Sequence, residues 1–134
     1  MGARHIAAAL LVVAGPALAQ NGNSEFARGA EEYMVACAAC HGEQADGNGP
    51  IATMFKGVVP DLRKITASND GEFPTLKVFQ IIDGRSGVAA HGAPMPIFGN
   101  RYKVEAGDIG AYGNESAVRA RVLELVYYLE SIQE

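Results

Sequence analysis

Cys37 and Cys40 are separated by two alanines and followed at once by His41, so two thiols and an imidazole fall within five residues. Three chemistries use such a cluster. A redox-active C-x-x-C dithiol expects a strand–helix–strand setting, and no alternating strand pattern of useful length runs through this chain. A structural zinc site takes four ligands, more than two cysteines and one well-placed histidine supply. The third chemistry fits: C-x-x-C-H reads as covalent attachment of a c-type haem. The two thiols add across the two vinyl groups as thioethers, and the adjacent imidazole reaches the iron through one ring nitrogen. Its other nitrogen then donates to a backbone carbonyl that fixes the ring. Pro50 or its neighbours are the expected source of that carbonyl, because the loop after the motif must return to this side of the haem.

A haem that moves electrons commonly fills both axial positions, and His with Met is one such pairing. The chain has four methionines, one of them the initiator. Met34 precedes the motif on the same helical stretch and reads as core. Met54 follows the motif too soon and reads as a packing residue. Met95 lies in Gly92-Ala93-Pro94-Met95-Pro96, where prolines on both sides fix two φ angles and stiffen the backbone around the thioether. Met95 is therefore the preferred sixth ligand. His91, four residues earlier, is the rival, and bis-histidine ligation would lower the potential that methionine raises.

The start of the chain sets the compartment. Arg4 and His5 lead into the apolar run Ile6 to Ala14, Gly15-Pro16 breaks it, and Ala17-Leu18-Ala19 matches a small-x-small cleavage pattern. Nine residues are far short of the roughly 20 needed to span a bilayer. The segment reads as a cleaved secretory signal over residues 1–19, leaving 20–134 as one domain with no membrane span, in the periplasm of a Gram-negative bacterium.

Helical spacing dominates the elements that must carry these residues. Phe26, Ala30, Tyr33, Met34 and Cys37 recur at threes and fours behind Ser24, a fitting N-cap. Residues 42–50 form a loop by composition. Asp61 is placed to cap a short helix over Leu62 to Ile65, ended by Ser68 to Gly71. Pro74 suits the first position of a further helix showing Leu76, Phe79 and Ile82 on one side and stopping at Gly84. Residues 84–113 read as an irregular stretch. Asn114 or Ser116 then caps the longest helix, striped by Val118, Val122, Leu125, Leu129 and Ile132. The fold class is all-α.

Acidic residues outnumber basic ones 15 to 11, a formal charge of −4, which argues against nucleic-acid binding and for a basic or locally basic protein partner. Arg63, Lys64, Arg101 and Lys103 read as solvated charges, with propionate pairing or docking as the alternative.

These residues together resemble the class I monohaem c-type cytochromes over most of residues 20–134. Gly29-x-x-x-Tyr33 resembles the small-plus-aromatic pair of that family's first helix, and Cys37 to Gly42 its haem motif. Met95-Pro96 with Phe98-Gly99 resembles its methionine loop, and Val126-Tyr127-Tyr128-Leu129 its last helix. The likeness is nearer to bacterial periplasmic members with Gly-Asn-Gly-Pro after the motif, here residues 47–50. It implies the cytochrome c fold, about four to five helices around one covalent haem c, with the first and last helices crossing at Gly29 and an aromatic packing near Tyr33. It also implies thioethers at Cys37 and Cys40, iron ligands His41 and Met95, and Pro50 as the proline whose carbonyl holds the histidine. Two departures stand out. The chain has no tryptophan, and Phe98 stands where such proteins often carry one. Residues 101–115 form a long link before the last helix. The implied function is an electron carrier between a redox protein donor and acceptor rather than an enzyme. The alternatives are a haem subunit of a larger dehydrogenase or oxidase complex, or a small haem peroxidase or gas-binding cytochrome.

Overall fold

Helix α1 runs over Ala27–Ala36 and turns Gly29 and Tyr33 inward. Phe26 occupies the cap position without a side-chain cap bond, while Ser24 lies outside the residues described. The computed structural model describes residues 26–55, 57–85 and 95–134. The expected leader at 1–19 and His91 with Pro94 also fall outside them.

Cys37 leaves helical geometry at φ −120° and begins a single further turn, α2, over Ala38–His41. The loop after it does more than connect. Its amides at Gly42, Gly47, Gly49 and Ile51 bond back to the carbonyls of Ala38, His41, Cys40 and Ala39, meeting the carbonyls that any helix end leaves open. Gly49 must be glycine for this approach, since a Cβ there would lie 2.5 Å from the Cys40 carbonyl carbon.

After a 3₁₀ turn at Ala52–Met54 the chain reaches Asp61, whose carboxylate accepts from the Arg63 amide and caps the 3₁₀ turn Leu62–Lys64 as expected. A third 3₁₀ turn, Ala67–Asn69, gives way to left-handed Asp70 and Gly71. Helix α3 spans Thr75–Asp83, with Pro74 in the cap position and Gly84 left-handed at its end. It buries Val78 and Ile82, whereas Leu76 is 69 % exposed, so the expected Leu76 face is corrected. Both faces of this helix are apolar in sequence, and packing on the final helix selects the inner one.

The expected irregular stretch over 84–113 and the long link over 101–115 are also corrected in their described part, for α4 occupies Phe98–Glu105 and the last helix begins at Ala111. Only Phe98, Gly99 and Tyr102 of α4 are buried, and Arg121 covers the Tyr102 ring at 4.0 Å. The last helix, α5, covers Ala111–Ser131, starting ahead of Asn114 and Ser116 with Gly110 at its cap at φ +80°. Asn114 instead accepts from the Ile109 amide, closing the turn before the helix.

Helices α1, α3 and α4 all pack on α5. Val118, Val122, Leu125, Val126 and Leu129 form its buried side. At the α1–α5 crossing a Cβ on Gly29 would sit 2.7 Å from Tyr128 Cβ, and the Tyr33 and Tyr128 rings pack at 5.4 Å. The described residues are helical with no strand, an all-α fold.

Candidate functional site

Helix α5 supplies the floor of a cavity of about 720 Å³, through Leu125 and Leu129. Cys37, Cys40 and His41 line it from the α1–α2 junction. Leu62, Ile65, Val78, Ile81 and Ile82 line it from the 60s segment and α3, and Met95, Pro96 and Phe98 from the chain entering α4. The walls are mainly apolar, with Asp61, Lys64, Ser68, Asn69 and Lys77 as polar exceptions.

The break at Cys37 matters to the chemistry. It lets the chain change direction between the two cysteines, so that both thiols and the imidazole face one space. Neither thiol is in a disulfide. Burial, helped by the nearby Glu32 and Cys40 charges, pushes the Cys37 thiol up to about 12, so it is neutral in the folded pocket. Tyr33 is tied to the same corner: its hydroxyl, fully buried, donates to the Gly42 carbonyl at 2.6 Å. Burial, first of all, raises its pKa above the ordinary phenol range.

His41 is 7 % exposed, and its Nδ1 lies 3.4 Å from the Pro60 carbonyl oxygen. A carbonyl only accepts, so this contact requires the hydrogen on Nδ1. The expected partner, Pro50, is thus corrected to Pro60. Pro50 is exposed and sits in the turn whose amides close the end of α2, so that turn is spent on helix capping. The carbonyl comes instead from the next pass of the chain. That pass is anchored by Leu62 N–H to the Ala45 carbonyl at 2.7 Å. Gln133 secures it further, its Nε2 donating to Leu62 O and its Oε1 accepting from the Thr66 amide. Nothing local to the motif marked Pro60; the one signal was the capping residue Asp61 directly after it.

Met34 and Met54 were expected to pack inside, but they are 47 % and 79 % exposed. Neither lines the cavity, and Met95 does. Arg63 is taken up by Asp61 and Glu134, and Arg101 by Glu105. Lys64 lines the cavity while paired with Glu134 at 2.7 Å. The apolar wall from α3 was not singled out by sequence, because its residues look like ordinary core.

The residues present fit a large, flat, apolar cofactor with covalent anchors: the volume is that of a cofactor pocket, and thiols, imidazole and thioether border one space. The family model for cytochrome c matches residues 26–112, from just ahead of α1 into the first turn of α5. No curated protein and no solved structure matches the chain. The matched segment is well over half of the 134 residues and includes every side chain considered above as an anchor or a ligand. The chain belongs to the cytochrome c family, haem-based electron-transfer proteins that are generally carriers rather than enzymes, and its cofactor is a covalently bound haem c.

Proposed function

We propose that this protein is an exported, periplasmic electron carrier holding one haem c through thioethers at Cys37 and Cys40, with His41 and Met95 as axial ligands. The single observation that carries this reading is the shared cavity, which Met95 lines together with the C-x-x-C-H residues. When bound, the haem supplies a one-electron ferric–ferrous couple. The chain's own part is to hold and shield. Cys37 and Cys40 tether one edge of the macrocycle, and the Pro60 carbonyl orients the His41 ring and raises its basicity as a ligand. Leu62, Ile65, Val78, Ile82, Phe98, Leu125 and Leu129 exclude water from the walls, which favours the less charged reduced state. A rigid two-sided ligation leaves little to rearrange on electron transfer, the property a carrier needs. The leader pattern at residues 1–19 supports export. Among the described residues no helix is long and apolar enough to cross a membrane.

The test is a pair of spectra and potentials for protein expressed in a periplasm, with Met95→Ala alongside. The expected result is a methionine–iron charge-transfer band in the far red for the ferric protein, lost in Met95→Ala together with a lower potential. An unchanged potential in Met95→Ala, or ready carbon monoxide binding by the native ferrous protein, overturns the ligand assignment and favours a gas-binding or peroxidase site.

A further inference from the structure

The stretch that carries Met95 leaves the end of α3 and returns at the start of α4, and its two ends meet over one charged cluster that joins α3 to α5. Asp83, the last residue of α3, is only 6 % exposed. Arg85 doubles back onto it. Its Nη2 and Nε donate to Asp83 Oδ1 at 2.7 and 2.9 Å, Nε also reaches Oδ2 at 3.1 Å, and the Arg85 amide donates to Oδ2 at 3.2 Å. The other edge of the same guanidinium faces α5, where Nη1 and Nη2 donate to the two Glu115 carboxylate oxygens at 2.8 and 2.9 Å. Both carboxylates are thus engaged in the forked geometry that makes arginine pairs strong and directional. Glu115 also holds Arg119 at 3.5 Å.

Two glycines bring the returning chain against this cluster. Gly84 is left-handed at φ +69°, and a Cβ there would lie 3.3 Å from Ile97 Cα. Gly99, in the first turn of α4, lies directly on the cluster, with a Cβ there 2.8 Å from the Asp83 carbonyl oxygen and closer still to the Arg85 Nε. The residues just before and just after the Met95 stretch are therefore in contact, with the Asp83–Arg85–Glu115 bonds beneath them. None of these three side chains lines the cavity.

We propose that Asp83, Arg85 and Glu115 form a clasp that positions Met95, acting through the backbone to hold the thioether at the cavity. The proposal rests on Met95 being the sixth ligand. Two carboxylates from different helices converge here only because the guanidinium lies between them. Without it, the buried Asp83 carboxylate loses its counter-charge and faces Glu115, which keeps only the exposed Arg119, and α3 and α5 part where the Met95 stretch is anchored. The thioether then spends more time away from the cavity.

The test is titration of the full-length ferric holoprotein with imidazole, which must displace the sixth ligand. Its apparent affinity therefore reports how often that ligand is off. Arg85→Met is expected to bind imidazole about tenfold more tightly than wild type, and Glu115→Gln to fall between the two. Arg85→Lys should not restore the wild-type value, because an ammonium cannot fork to two carboxylates. Met95→Ala is measured in the same way, alone and combined with Arg85→Met. If Met95→Ala leaves the affinity unchanged, the ligand assignment fails and the clasp proposal goes with it. If Met95→Ala tightens binding while Arg85→Met and Glu115→Gln match wild type, the clasp alone is refuted. Further tightening by Arg85→Met on top of Met95→Ala also refutes it, since the clasp would then act on something other than Met95. Should Arg85→Met not accumulate as folded holoprotein, Glu115→Gln decides, and a wild-type affinity there overturns the proposal.

Discussion

Adding one methyl group at Gly29 should be among the most damaging single changes outside the haem pocket. The Cβ of Gly29→Ala would lie 2.7 Å from Tyr128 Cβ and 2.8 Å from the Glu124 carbonyl carbon, and would overlap the carbonyl oxygen itself. These are backbone atoms and a Cβ, so no rotamer change relieves them and α1 must move off α5. Overpacking of a tight contact costs about 1–3 kcal/mol, and an obstacle made of backbone belongs at the upper end. Alanine recovers about 1 kcal/mol through its better helix propensity. The net loss is about 2 kcal/mol, and at about 4 °C per kcal/mol for a domain of this size Tm falls by about 8 °C. Thermal melts of the holoprotein, followed by far-ultraviolet circular dichroism and by the haem band together, measure it. A Gly29→Ala Tm at or above wild type would refute the reasoning, because α1 and α5 could not then touch at this residue.

Three further outcomes follow from the same contacts. Tyr33→Phe removes a buried 2.6 Å bond to the Gly42 carbonyl, which keeps the Ala45 amide as a partner, so the expected loss is about 1 kcal/mol with haem retained; urea unfolding that shows no loss contradicts it. The bonds from Arg63 hold the Asp61 carboxyl down at about 2, so its stabilisation is complete above the ordinary aspartate pKa of about 4 and is lost as pH falls toward 2. Melts of wild type and Asp61→Asn should accordingly converge across that window, and a gap that persists at its acid end rules the linkage out. Gln133→Ala gives up bonds to Leu62 O, Leu129 O and the Thr66 amide and should cost about 1–2 kcal/mol. Amide exchange at Thr66 should quicken, and unchanged protection there would mean that Gln133 does not hold the segment.

The C-x-x-C-H motif was legible because everything it needs lies within five residues. Thioether attachment depends on thiol spacing along one turn, and that spacing is covalent. The Asp61 cap and the left-handed Gly84 were legible for a similar reason, being contacts between residues two or three apart or a property of one backbone position. Gly29 with Tyr33 carried a message because a small residue and an aromatic four apart must share one helix face.

Other features depended on what came to lie alongside. Helix α4 has few apolar positions and a glycine in its first turn, so its own sequence argues weakly for a helix; packing against α5, with Phe98 and Tyr102 buried and Arg121 over the Tyr102 ring, makes it one. Met34 shares α1 with Tyr33, yet only the placement of α5 decides that Tyr33 goes in and Met34 out. The histidine's carbonyl partner is the clearest case. Pro50 and Pro60 each follow the motif within one loop's reach, and composition does not separate them. The choice was made by the Leu62 amide donating to the Ala45 carbonyl and by Gln133 donating to Leu62 O, partners on opposite sides of Pro60 in sequence, which draw its segment across His41. The sequence by itself therefore determined which cofactor is bound, since the groups of the motif act over a few residues. The tertiary structure alone decided which carbonyl lies against His41 and which face of α3 walls the cavity, because those depend on segments meeting across the fold.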